Sequence, residues 1–281
     1  MPLINQNLFN KKIYICTNNW NMNKLKSMRK AIFITLIGFT LTSQAQVNRS
    51  KSLSDIINKP VKPVSNEAIV EGLKSALKVG IENAVGKLGV DNGFYHDATL
   101  KLLLPPDAKP ITNNIKLIPG GQDLLNKTIL SINRTAEDAV KKATPIFINA
   151  IKQMSIQDAV SILYGNENAA TEYLRKTTYP GLKAAFAPNV KVSLNKPLVA
   201  CASTNQTWDL LCKSYNGVAN SMVGRFSKMK PVNVNLEDYV TEKALDALFI
   251  KVEEEEKAIR SDPKARITSL LQDVFGKLDK K

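Results

Sequence analysis

SNEAIVEGLKSALKVGIENAVGKLG, residues 65–89, reads as one helix. Ile69, Leu73, Leu77, Ile81, Ala84 and Leu88 recur at spacings of three and four, which puts them on one face of a helical period. Ser65 stands where an N-cap hydroxyl is wanted, and Gly89 stands where a helix stops. A second stripe runs through Leu125, Ile129, Ile132, Ala136, Val140 and Ala143, after Gly120-Gly121, which reads as a turn into a helix.

The pattern continues downstream. Thr144-Pro145 is a cap followed by a first-turn proline, opening a helix through Met154. Ser155 with Asp158 approximates a capping box for a short helix stopping at Gly165. Further helices are expected over 167–178, 181–194, 208–222, 236–260 and 263–278, the last opened by Asp262-Pro263. Residues 91–106 break the pattern with Asn92-Gly93 and Pro105-Pro106, and Leu100, Leu102 and Leu104 fit a short extended piece. Strand signals are few and no long repeat occurs. The expected fold is all-α, a single globular array of short and medium helices over 65–278, following a cleaved signal peptide.

That signal peptide is read at 28–45. Met28-Arg29-Lys30 is a basic start, residues 31–42 are an apolar run, and Ser43-Gln44-Ala45 is a small-x-small cleavage site. The run is well short of the roughly 20 residues a spanning helix needs. Cleavage after Ala45 would leave no transmembrane anchor in an exported, periplasmic or secreted chain. Residues 1–27 have no place in this layout and fit a start codon assigned too early, with Met28 as initiator. Residues 46–64, with Lys59-Pro60-Val61-Lys62-Pro63, read as a flexible arm or linker.

Charge follows the same division. The chain carries a formal +14, but residues 1–45 hold six basic side chains and no acid, leaving 33 basic and 25 acidic residues beyond them. That excess suits weak contact with an anionic surface and is too small to argue for nucleic acid. Cys16 falls in the removed part. Cys201 and Cys212 then remain as a pair in an oxidising compartment, and a disulfide closing their polar loop is expected, worth roughly 3 kcal/mol on the entropic account. Two buried free thiols are the alternative.

Catalytic groups are scarce. His96 is the only histidine, beside Asp97 in a loop, so a His-His metal site is excluded and a Ser-His-Asp arrangement would depend on it alone. No glycine-rich phosphate cradle occurs, and no cofactor is implied. Glu253–Glu256 project about 100° apart on a helix and cannot converge on one cation. Glu253 with Lys257 and Glu256 with Arg260 instead form i,i+4 surface pairs.

Three segments are similar to the domain-of-unknown-function family 4197 of exported bacterial proteins. Residues 131–137, Ser-Ile-Asn-Arg-Thr-Ala-Glu, precede Pro145-Ile146-Phe147 as in that family. Residues 168–175, Asn-Ala-Ala-Thr-Glu-Tyr-Leu-Arg, resemble its Ala-Ala-Thr-x-Tyr motif. Tyr239-Val240-Thr241 and Lys243-Ala244-Leu245-Asp246 resemble its C-terminal signature, which continues into Glu254-Glu255-Glu256, Ile259-Arg260, Asp262-Pro263, Arg266 and Val274-Phe275-Gly276, with Ala247 where glycine is expected. The cysteine loop looks like an insertion. The resemblance implies an exported helical domain with no assigned activity.

The stripe Leu245, Leu248, Phe249, Val252 resumes at Ile259 and passes through Glu255 and Glu256, so at least one of these carboxylates belongs at the core edge. Arg134, Arg175 and Arg266 are candidate partners, giving a partly buried Arg–Glu network; Asn133 and Thr171 would join it, and Tyr173 would line a cavity or the core. These residues are the candidates for a polar network or ligand site. The function expected is a non-catalytic protein of the bacterial envelope that binds a ligand or another envelope component. A hydrolase using Glu, Arg and Tyr without histidine or metal is the alternative, as is a purely structural interaction domain.

Overall fold

The computed structural model describes residues 65–279 apart from Asp158. The expected signal peptide, early start and arm, and the Ser155–Asp158 capping box, lie outside the described residues. Within them the fold is all-α, ten helices in one globular arrangement with no strand. In chain order they are α1 (Asn66–Leu88), α2 (Lys109–Asn113), α3 (Gly121–Val140), α4 (Ala143–Gln153), α5 (Ala159–Leu163), α6 (Ala169–Asn195), α7 (Thr204–Ala219), α8 (Met222–Phe226), α9 (Leu236–Ser261) and α10 (Ser269–Phe275). No helix among the described residues is long and apolar enough to cross a membrane.

The ends of α1 follow its sequence signals. The Ser65 hydroxyl accepts from the Ala68 amide at 3.3 Å, and Gly89 closes the helix. The six striped residues are buried. Their face meets α9, the longest run of core contacts, and also α4 and α10. Gly72 permits the last approach, since a Cβ there would lie 2.7 Å from Val274 Cγ2. On its other side α9 packs against α6, while α3 packs against α6 and α7. Gly120 adopts φ +66°, a left-handed conformation that glycine takes without strain, and delivers the chain into α3.

The helix expected over 263–278 is instead a 3-10 turn at Pro263–Ala265, α10, and a 3-10 turn at Gly276–Asp279, because the Thr268 hydroxyl caps a new helix start on the Leu271 amide. Other boundaries differ as well. α4 begins at Ala143, a residue before the proposed Thr144 cap. α7 begins at Thr204, because Ser203 and Gln206 form a reciprocal capping box. The two helices expected around Pro180 are one, α6, with Pro180 and Pro188 inside it. Both prolines are exposed, as are Lys176 and Ala184, whose carbonyls each proline leaves unpaired. Water can take those carbonyls, and Leu174, Leu182, Phe186, Val190 and Leu194 hold the opposite face in the core.

Candidate functional site

A groove of about 790 Å³ runs between α4 and α6. Pro145, Ile146 and Ala150 line one wall, Leu182 and Ala185 the other, and Met154 and Ser155 lie where the chain leaves α4. Asn149, Gln153, Thr177 and Thr178 supply polar atoms, and no Asp, Glu, Lys or Arg is among the lining residues. Thr177 and Thr178 turn their hydroxyls back onto the Tyr173 and Leu174 carbonyls, so they present mainly methyl surface. Tyr173 also lines the groove, and its hydroxyl donates to the Ser155 carbonyl, tying α6 to the loop after α4. Gly181 lines the groove beside Pro180, and a Cβ there would meet nothing within 4 Å.

The candidate polar residues do not converge there. Glu256 is buried on α9, and its two oxygens accept from the first-turn amides of α6, Ala170 at 3.0 Å and Thr171 at 2.7 Å. The Thr171 hydroxyl donates to the same carboxylate at 2.6 Å. Its arginine is none of the three expected but Arg260, one turn along, whose Nε donates at 2.9 Å. Arg260 also donates to the Leu163 and Ile162 carbonyls at the end of α5. The pair therefore satisfies the first-turn amides of one helix and the last-turn carbonyls of another, each end meeting the charge its dipole favours. Arg266 continues the cluster, donating to the Ile259 and Arg260 carbonyls and to Asp279.

A second clamp sits on α3. Glu137, buried, accepts from the Phe94 and Tyr95 amides at 3.1 and 3.2 Å and is paired with Arg134. Arg134 also reaches Asn92 Oδ1 at 2.9 Å. Asn133 exchanges two hydrogen bonds with the Leu102 backbone, accepting at 2.9 Å and donating at 2.8 Å, as a neighbouring strand would. That is how the irregular Lys101–Leu103 segment, which follows a turn at residues 98–100 instead of forming the expected extended piece, is held. Glu137 was not among the expected residues, although it follows Ala136 on the α3 stripe and lies four residues from Asn133.

The remaining candidates stand apart. Arg175 pairs with Asp246 of α9 and lies over the Tyr179 and Phe249 rings. Glu255 faces α1, where it pairs with Lys87 and accepts from Asn83 at 2.8 Å. Burial pushes its carboxyl up, but the hydrogen bonds from Lys87 and Asn83 and the Lys87 charge outweigh this and hold it below the ordinary glutamate value. His96 is exposed, and one Asp97 oxygen is taken by the Thr99 and Leu100 amides.

The expected Cys201–Cys212 disulfide is not formed, and Cys212 is a free thiol. The early start of α7 is the reason. Cys201 sits in a left-handed turn ahead of the helix, and Cys212 lies eight residues into it, about 12 Å along the axis from Thr204. A disulfide tolerates Cα separations of only about 7 Å. Burial, then the Asp209 charge, pushes the Cys212 thiol up to about 11.

The fold and its contents define an all-helical domain whose buried carboxylates are consumed by backbone amides and whose α4–α6 groove is lined by uncharged residues. The chain belongs to the family described as "Protein of unknown function (DUF4197)", which matches residues 63–276. No curated protein and no solved structure matches it. The clamps fall on the motif segments named above: Asn133, Arg134 and Glu137 in the first, Thr171 in the second, Glu256, Arg260 and Arg266 in the third.

Proposed function

We propose that the protein is a non-catalytic binding protein of the bacterial envelope, and that the α4–α6 groove takes a largely apolar, uncharged ligand. The export signal read at residues 28–45 supports the compartment. The uncharged groove carries the binding reading. Its volume is in the range of small-molecule sites, and a few amide and hydroxyl groups lie among apolar walls. An anionic ligand would find no cation among the lining residues.

The hydrolase alternative finds little support. A glycosidase-like mechanism wants two carboxyls about 5–9.5 Å apart across a cleft. The buried carboxylates Glu137 and Glu256 instead accept backbone amides and an arginine each, which leaves them poorly placed to exchange protons with a substrate.

Mass spectrometry of small molecules released from protein purified from its native envelope fraction tests the proposal. A stoichiometric hydrophobe is expected, and Gly181→Met should displace it. That substitution fills the groove and gains about 0.5–1 kcal/mol of helix propensity, so loss of ligand would not reflect unfolding. Protein recovered without such a molecule, or with one that Gly181→Met leaves bound, would overturn the groove reading.

A further inference from the structure

Met222, Val223 and Phe226, on α8, are 76%, 61% and 83% exposed. Three large apolar side chains on one five-residue helix are an unusual thing to leave in water. The local sequence makes this arrangement. Ser221 caps α8, accepting from the Gly224 amide at 3.3 Å, and Gly224 is pressed against the end of α7. A Cβ at Gly224 would lie 2.2 Å from the Val218 carbonyl oxygen, so only glycine lets the two helices meet there. With Gly224 turned inward, Met222, Val223 and Phe226 stand out from the body, and Met222, Arg225 and Phe226 border a shallow depression.

The stretch of chain that carries these side chains is basic. Between Asp209 and Glu237 the chain carries Lys213, Arg225, Lys228 and Lys230 and no acidic residue. Among the described residues, none of those four makes an ion pair.

We propose that α8 is a membrane-surface anchor: its apolar side chains enter the interface of an anionic bilayer while Arg225, Lys228 and Lys230 contact the headgroups. The occupant follows from the charge and the composition. Protein–protein interface cores are depleted in lysine, whereas an apolar helix flanked along the chain by Lys and Arg without acids matches the two attractions that hold interfacial segments on anionic lipid. The anchor is independent of the α4–α6 groove, and either can fail without the other.

Hydrogen exchange of the full chain tests it locally, with and without vesicles of phosphatidylglycerol and phosphatidylethanolamine. Protection over residues 221–230 is expected with these vesicles and not with phosphatidylcholine alone, and it should fade at high salt. Met222→Ser with Phe226→Ser should reduce that protection and weaken vesicle binding by about tenfold or more, and each neutralisation of Arg225, Lys228 or Lys230 should weaken it by about fivefold. An unchanged melting temperature for the serine variant would show that the fold is kept. Exchange over 221–230 that ignores anionic vesicles, even where another part of the chain binds them, would overturn the proposal. So would protection that depends on protein concentration alone, which would assign the patch to a second copy.

Discussion

Glu256 and Arg260 lie one turn apart on α9 and close the junction between two other helices: the carboxylate takes the amides that open α6, and the guanidinium takes the carbonyls that end α5. Both side chains are buried, so each is compensated only while the other is present. Glu256→Ala and Arg260→Ala should each destabilise the fold by about 3–5 kcal/mol in chemical denaturation. The double variant should lose clearly less than the sum of the two. Additive losses would mean that the two groups act separately.

Asn133 tests how the irregular segment around Leu102 is held. Asn133→Ala leaves the Leu102 amide and carbonyl buried without partners, which should cost about 1–3 kcal/mol. Amide exchange should rise first over residues 100–104, ahead of global unfolding. A uniform rise across all helices would instead indicate a general loss of stability.

Two glycines on α1 should respond in opposite directions. Gly72→Ala drives a methyl into Val274 and should cost about 1–3 kcal/mol by wedging α10 away. Gly86→Ala meets nothing within 4 Å and should raise stability by up to about 1 kcal/mol. Melting temperatures of the two variants would show the contrast directly.

Glu255 should contribute to the acid limb of stability. Its carboxyl is held below the ordinary value of 4.5 in the folded protein, so its contribution is present above that pH and lost as pH falls through the lowered value. Glu255→Gln should therefore be less stable than the parent at neutral pH, by about 1 kcal/mol or less because Lys87 is solvated. The difference should shrink as pH drops below 4.5. A gap that is constant with pH would assign the effect to packing.

Much of the fold is written in periodicity, and the residues that escaped reading show what periodicity lacks. The α1 stripe and its Ser65 cap are local properties, so they can be read along the chain. The continuity of α6 through Pro180 is not, because it depends on which side of the helix faces water. Glu256 could be placed at the core edge, since the stripe from Val252 to Ile259 passes through it. Its partner could not: an i,i+4 pair with Arg260 looks like an ordinary surface pair until α5 and α6 are seated over it. The groove was hidden for the same reason, since its width is set by the separation of α4 and α6 rather than by either helix.

The Glu256–Arg260 clamp also bears on when the chain can finish folding. The groups it satisfies lie at residues 162–171, but the clamp itself is made after residue 255. A growing chain can collapse α1 to α6 early, yet the junction between α5 and α6 keeps the Ala170 and Thr171 amides and the Leu163 carbonyl without these partners until nearly the last segment arrives. A chain stalled or cut before residue 256 should therefore be recognisable to proteases as unfinished.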